Sequence, residues 1–74
     1  MKVLIHTAPN CVQCTMTKKA LQRLGIEAQE VEADPKLHEI YFGSRQLPGC
    51  VELNSDGTAK RTWVGFRPDI IREL

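Results

Sequence analysis

Two cysteines separated by two residues, Cys11 and Cys14, are the part of the sequence best suited to chemistry. Thiols at this spacing can close and open a disulfide with little backbone movement, and the thiolate is the nucleophile in disulfide exchange. The pair follows a short apolar run at residues 3–5 and stands at the start of a helix-like run. The pattern predicts a dithiol that moves two electrons between a donor and a disulfide substrate.

The two thiols are expected to have different roles. Cys11 falls at the first helical position or just before it, where unpaired N–H groups and the positive end of the helix dipole favour its anion. We therefore expect Cys11 to attack and Cys14, one turn further in and more buried, to resolve. Two ordinary core cysteines are the alternative. No carboxylate lies close in sequence to accept a proton from Cys14, and the more distant candidates are Glu30, Glu32 and Glu52.

The third cysteine, Cys50, leaves an odd number of thiols. We expect it to be a packed core residue, with a regulatory disulfide or a third metal ligand as alternatives. Together with His6 or His38, the cysteines would form a Cys3His zinc set, which would make the chain a small zinc-binding interaction domain. The second half of a zinc site usually comes as a close pair, which the sequence lacks, so we expect no metal. His38 is expected on the surface and His6 in a packing role.

Length, charge and composition indicate a small soluble protein. The chain has 74 residues and a formal net charge of +1, and it has no basic stripe with interleaved aromatic residues to bind nucleic acid. No apolar run approaches the length of a membrane span, and residues 1–6 lack the longer apolar stretch of a signal peptide. We expect one domain over residues 1–74, acting as a cytoplasmic monomer in a reducing compartment.

The predicted elements follow the order β-α-β-α-β-β-α. Strands are predicted at residues 2–7, 28–32, 49–53 and 60–64, and helices at residues 11–24, 35–42 and from 67–68 onward. The first half is a βαβ unit with parallel strands, and a turn at residues 54–57 joins the last two strands in a hairpin. A Cys-x-x-Cys beside a βαβ unit predicts an α/β thioredoxin-like fold, with a four-stranded mixed sheet flanked by three helices.

Local signals predict the ends and the buried faces of the helices. Asn10 is expected to cap the first helix, with Gln13 as its capping-box partner. Asp34 is expected to cap the second helix, which Gly43 ends. Apolar residues at helical spacing predict the buried stripes. These are Met16, Ala20, Leu21 and Leu24 on the first helix, and Leu37, Ile40 and Tyr41 on the second.

Two further stretches allow a structural or a functional interpretation. Pro48 begins the third strand, either as a simple trans proline or with a cis bond that brings the Leu47 backbone against the dithiol. An extended substrate backbone could pair there by strand addition. Trp63 and Phe66, on either side of Gly65, are either core residues or a partly exposed aromatic patch for a partner protein.

Three segments of the sequence occur together in a specific combination. They are Thr7-x-Pro9-x-Cys11-Val12-Gln13-Cys14, then Leu47-Pro48, then Trp63-x-Gly65-Phe66-Arg67-Pro68. With the order of elements, they make the whole chain resemble the NrdH-redoxins, small glutaredoxin-like proteins of the thioredoxin superfamily. The resemblance implies a cis bond before Pro48 and a substrate- and partner-binding surface around the dithiol. This surface would comprise Thr7, Pro9, Val12, Gln13, Leu47, Pro48, Trp63, Gly65, Phe66 and Arg67.

The resemblance also implies partners. Family members take electrons from NADPH through thioredoxin reductase and reduce the class Ib ribonucleotide reductase, with no bound cofactor. In glutaredoxins, a Cys-Pro-Tyr-Cys tetrapeptide and a Gly-Gly segment before the last helix help to hold glutathione. Val12-Gln13 and Phe66-Arg67 replace these features, so glutathione binding should be poor. A glutathione-dependent glutaredoxin is the runner-up.

The sequence departs from the family pattern at three places. Ala8 stands where relatives commonly have Lys, so one nearby charge that would favour the Cys11 thiolate is missing. Val64 stands where Ser is usual and brings no hydroxyl to the loop before the last helix. Gly49-Cys50 replaces the more usual apolar pair after the proline. These departures concern the reactivity of Cys11 and the choice of partner, and they leave the predicted fold unchanged.

Overall fold

The computed structural model describes residues 2–74 and contains seven elements in the predicted order. The strands are β1 (Lys2–Thr7), β2 (Glu27–Glu32), β3 (Gly49–Leu53) and β4 (Ala59–Val64). The helices are α1 (Val12–Arg23), α2 (Pro35–Phe42) and α3 (Pro68–Ile71). Apart from the end of α3, the predicted bounds are correct to within one residue. Of the helices in residues 2–74, none has the length and hydropathy to cross a membrane.

The four strands form one mixed sheet in the order β2-β1-β3-β4. β1 is parallel to β2, where Ile5 lies opposite Glu30, and antiparallel to β3, where Ile5 lies opposite Cys50. β3 and β4 form the antiparallel hairpin. The predicted βαβ unit and the thioredoxin-like fold are therefore confirmed, and the loops after β1 and before β3 leave the sheet at the same end.

The hydrophobic core lies between the sheet and the two helices α1 and α3. Alternate residues of a strand point to opposite faces, so the odd-numbered residues of β1 face this core and the even-numbered ones face away. Cys50 is fully buried here, as predicted, and the partly buried Ile70 and Leu74 pack against the core from the C-terminal segment. The core residues are Val3, Ile5, Leu21, Cys50, Trp63 and Ile71.

The predicted buried face of α1 is only partly correct: Leu21 is buried and Ala20 packs against the core, but the other two predicted residues face outward. Met16 and Leu24 are 43% and 53% exposed, whereas Thr17 is completely buried together with Cys14 and Leu21. The hydroxyl of Thr17 donates to the carbonyl oxygen of Gln13 at 2.8 Å. Because this bond satisfies the hydroxyl inside the helix, a polar residue can take an inward position that hydropathy assigns to its neighbours.

The predicted buried stripe of α2 is wrong. The helix begins at the Asp34 cap and ends at Gly43 as predicted, but it packs on the sheet face opposite α1, and its contacts there come from other side chains. His38, predicted on the surface, is only 4% exposed and lies with Phe42 against Gly49. A glycine leaves room for two rings, so the imidazole turns inward and the aliphatic stripe turns out. The exposed fractions of Leu37, Ile40 and Tyr41 are 47%, 73% and 73%.

Candidate active site

Cys11 and Cys14 form a disulfide at the N-terminus of α1, with their Cα atoms 5.2 Å apart. Cys11 is the N-cap residue, in an extended conformation, and its sulfur accepts a hydrogen bond from the backbone N–H of Cys14 at 3.1 Å. The predicted capping box of Asn10 and Gln13 is therefore wrong. Asn10 lies before the cap in a left-handed conformation, with φ of 61°. A sulfur atom takes the place that the Asn side chain was expected to fill.

The surroundings of the Cys11 sulfur favour negative charge. The N–H of Cys14 points at it, and the first turn of α1 contains no acidic residue. Both features stabilise an anion at a helix N-terminus, where the backbone N–H groups have no partners within the helix. Cys11 is half-buried and Cys14 is 5% exposed, so a substrate from solvent meets the first sulfur more easily than the second.

A cleft of about 400 Å³ opens beside the disulfide, and Glu30 of β2 lines it together with both cysteines. Among the three carboxylates considered above, Glu30 lines the dithiol cleft itself, and an oxygen of its side chain lies 3.0 Å from Lys18 Nζ. Glu52 is buried elsewhere, with its carboxylate 3.5 Å from the guanidinium of Arg61. The residues lining the cleft are Thr7, Ala8, Asn10, Cys11, Val12, Cys14, Thr15 and Glu30.

The loop before β3 forms a second wall of the site. The Leu47–Pro48 peptide bond is cis, as the family resemblance implies. The carbonyl oxygen of Pro48 accepts a hydrogen bond from the backbone N–H of Gly65 at 2.8 Å. Leu47 and Ala8 line a small pocket of about 110 Å³, which joins this loop to the one that precedes the dithiol. Pro48 itself is buried, so the surface here is offered by Leu47.

Gln13 connects the dithiol turn to the loop before α3. Its side-chain oxygen accepts a hydrogen bond from the backbone N–H of Phe66 at 3.2 Å. A Cβ atom on Gly65 would collide with the side-chain amide nitrogen of Gln46 and crowd the oxygen of Gln13, and its φ of 77° is strained for any other residue. Sequence reasoning did not single out Gln46. Its position directly before Leu47-Pro48 is the signal that could have found it.

The other residues of the Trp63–Pro68 stretch differ in exposure. Trp63 is 5% exposed and lies opposite Cys50, so the core interpretation is correct for this residue and its side chain does not form an open aromatic patch. Phe66 is half-buried against the core. The guanidinium of Arg67 donates two hydrogen bonds to Asp69, at 3.1 and 2.8 Å. This pairing raises the pKa of Arg67 and lowers the pKa of Asp69.

The residues considered for zinc are not brought together. Within residues 2–74, no three His, Cys, Asp or Glu side chains are placed to hold a metal ion. Nδ1 of His6 donates to the carbonyl oxygen of Gly49 at 3.0 Å, and Nε2 of His38 donates to that of Gln46 at 2.8 Å. Cys50 is free and buried, and burial raises the pKa of its thiol to about 12. This thiol stays protonated at neutral pH and is a poor nucleophile and ligand.

Known proteins resemble this chain over its whole length. A family model described as Glutaredoxin matches residues 3–51. The glutaredoxin-like protein NrdH of Salmonella typhimurium is 40% identical over 78 residues, and that of Escherichia coli K12 is 35% identical, each match covering 100% of this chain and 89% of the relative. The SPbeta prophage-derived thioredoxin-like protein YosR of Bacillus subtilis is 28% identical over 76 residues, covering 100% of this chain and 94% of YosR.

A solved structure gives the same result. The NrdH-redoxin of Escherichia coli, described as glutaredoxin-like with a thioredoxin-like activity profile, matches with a TM-score of 0.78 and 35% identity. The match covers 100% of this chain and 95% of the other. The fold, the full-length similarity and the spacing of Cys11 and Cys14 therefore all indicate the same family.

Proposed function

This chain belongs to the glutaredoxin family as an NrdH-like thiol–disulfide oxidoreductase, and we propose that it reduces protein disulfides through Cys11 and Cys14. The Cys11 thiolate attacks one sulfur of the substrate disulfide and expels the other as a thiolate, which takes up a proton. Cys14 then loses its proton and attacks the Cys11 sulfur, releasing the second substrate thiol. Two electrons have passed to the substrate, and a reductase resets the Cys11–Cys14 disulfide. The observation that carries the assignment is the hydrogen bond from the Cys14 N–H to the Cys11 sulfur at 3.1 Å.

Leu47 is the proposed pairing point for the substrate backbone. Among the described residues, its own N–H and C=O take no part in backbone hydrogen bonds, although the neighbouring carbonyl of Pro48 does. An extended polypeptide can therefore bond to Leu47 as an added strand, which would hold its disulfide over Cys11. Thr7 and Val12 line the cleft beside the disulfide, and we include them with the neighbouring Pro9 in the proposed binding surface.

We propose thioredoxin reductase, fed by NADPH, as the electron donor and a class Ib ribonucleotide reductase as the acceptor. The NrdH relatives and the thioredoxin-like activity profile of the Escherichia coli protein support this choice. Gln13 adds a structural argument. Its side chain already accepts the hydrogen of the Phe66 N–H, which lies in the segment before the last helix that helps glutaredoxins to hold glutathione. In this proposal the chain acts in the cytoplasm as a single-domain monomer without a bound cofactor.

A comparison of electron donors tests the proposal. NADPH with thioredoxin reductase should support reduction of insulin disulfides, and glutathione with glutathione reductase and NADPH should not. A Cys-Pro-Tyr-Cys glutaredoxin, measured under the same conditions, is the positive control for the glutathione system. Efficient turnover with the glutathione system in the absence of thioredoxin reductase would instead favour the glutathione-dependent alternative, which the glutaredoxin family model supports.

A further inference from the structure

Two histidine rings bond to the backbone on either side of Leu47-Pro48. Nε2 of His38, on α2, donates to the carbonyl oxygen of Gln46 at 2.8 Å. Nδ1 of His6, on β1, donates to the carbonyl oxygen of Gly49 at 3.0 Å. The loop that offers Leu47 is therefore held at both ends by side chains from two different elements.

The two rings have little freedom to move. His38 is 4% exposed, and the ring of Phe42 packs against both histidines, with centroids 4.7 Å from His38 and 5.4 Å from His6. A Cβ atom on Gly49 would overlap the rings of His38 and Phe42, so the sheet surface beneath them is already filled. Packing this close turns each imidazole into a rigid donor rather than a mobile one.

Two further backbone groups of the loop are also occupied. The N–H of Gln46 donates to the Ser44 hydroxyl at 3.0 Å, and the carbonyl oxygen of Pro48 accepts from Gly65. The bonds to Gln46, Pro48 and Gly49 leave the backbone of Leu47 between them without such a partner within residues 2–74. A backbone donor and acceptor are thus presented in a preset geometry.

We propose that His38 and His6 are positioning residues that hold the Leu47 backbone ready to pair with an extended polypeptide substrate. The inference rests on the proposed function and adds the two side chains that hold the pairing loop in place, whose effect is confined to disulfides that lie within extended polypeptide. A small disulfide has no backbone to pair and meets Cys11 without the loop. The benefit of a preset loop is that ordering costs are not paid when the substrate binds.

Two substitutions of His38 test the proposal with two substrates. His38→Leu removes the donor, whereas His38→Gln keeps a side-chain N–H at a similar distance from the backbone. For His38→Leu we expect KM for insulin to rise roughly three- to tenfold, which corresponds to one lost hydrogen bond, with little change in kcat. Reduction of hydroxyethyl disulfide should be unchanged, and His38→Gln should remain within about twofold of the unaltered protein for both substrates. Equal losses for both substrates, equal losses in both variants, or no loss at all would overturn the positioning role.

The same comparison at His6 guards against a variant that fails to fold. Asn keeps an N–H near the position of Nδ1, and Leu does not, so His6→Asn should retain insulin reduction better than His6→Leu. Nitrogen NMR of the rings in the unaltered protein needs no variant. It should find the Nε2–H tautomer for His38 and the Nδ1–H tautomer for His6, and the reverse assignment for His38 would overturn the proposal. Failure of the proposed function would look different, because the unaltered protein would then reduce insulin with neither electron donor.

Discussion

The side-chain oxygen of Gln13 lies 3.2 Å from the backbone nitrogen of Phe66 and accepts its hydrogen, so the turn between the two cysteines is bonded to the loop before α3. The contact spans 53 positions of sequence and joins segments that share no strand pairing. It gives the second variable position of the Cys-x-x-Cys motif a definite structural task. The identity of that residue therefore affects both the shape of the site and the stability of the fold.

Replacement of Gln13 by Ala should lower the free energy of unfolding by about 0.5–1 kcal/mol, because one partly solvated hydrogen bond is lost. Gln22→Ala is the matched control. It lies on the exposed side of the same helix, and its side chain makes no hydrogen bond to the described residues. Urea denaturation of the two variants and the unaltered protein measures the difference. Equal stability of the two variants would show that the Gln13 contact contributes nothing.

The two cysteines of the site should respond differently to replacement by serine. Cys11→Ser should abolish reduction of insulin, because no thiolate remains to attack the substrate. Cys14→Ser should still attack but cannot release the substrate, so a mixed disulfide should accumulate and be visible by mass spectrometry under non-reducing conditions. Cys50→Ser is the control for the loss of any thiol, since Cys50 is buried away from solvent. Turnover by Cys11→Ser would reject the assignment of roles.

The buried thiol of Cys50 should make stability depend on alkaline pH. Burial raises its pKa from 9.0 to about 12 in the folded protein, so between these values the unfolded chain has lost a proton that the native state keeps. The contribution of the protonated Cys50 thiol to the free energy of unfolding is therefore fully present below pH 9 and is lost as the pH rises toward 12. The free energy of unfolding should fall by up to about 1.4 kcal/mol per pH unit from this group alone.

Cys50→Ala separates this contribution from those of other groups that titrate at alkaline pH. The variant leaves a cavity and loses stability at every pH, but this offset does not titrate. We expect the difference in stability between the unaltered protein and the variant to shrink as the pH is raised from 9 to 11, measured by urea denaturation under reducing conditions. A difference that stays constant with pH would mean that the thiol does not titrate in this range.

The outward stripe of α2 can be tested with one substitution made at two sites. Ile40 is 73% exposed, whereas Ile71 is 2% exposed in the core, and both lie on helices. Ile71→Val should cost about 0.5–1.5 kcal/mol, because it removes a buried methylene group. Ile40→Val should change stability by less than about 0.5 kcal/mol, as surface substitutions usually do. A core-sized loss at Ile40 would show that the helix packs through the stripe that hydropathy favours.

Most of the fold could be predicted from sequence because its local signals agree with one another. Asp34 and Gly43 cap α2 where expected, and the apolar run of β1 pairs with both of its neighbours. The faces of the helices were harder to predict. The burial of Thr17 and His38 depends on hydrogen bonds to the carbonyls of Gln13 and Gln46, and hydropathy does not register such bonds.

In the candidate site, too, the local features could be predicted from the sequence and the long-range contacts could not. The spacing of Cys11 and Cys14 predicted the thiol pair directly, and the family resemblance predicted the cis bond before Pro48. The contacts that tie the site together could not be predicted, because they join residues far apart in the chain. Gln13 meets Phe66 because α1 and α3 pack on the same face of the sheet.

Gly49 and the two rings packed on it also constrain how this sequence can evolve. A side chain at position 49 would overlap His38 and Phe42, so the two rings would have to shift or give way to smaller residues. Relatives that carry a larger residue at this position should therefore have small ones at the positions of His38 and Phe42. The glycine after the cis proline and the histidine on α2 would then be a coupled pair, in which a change at one position calls for a change at the other.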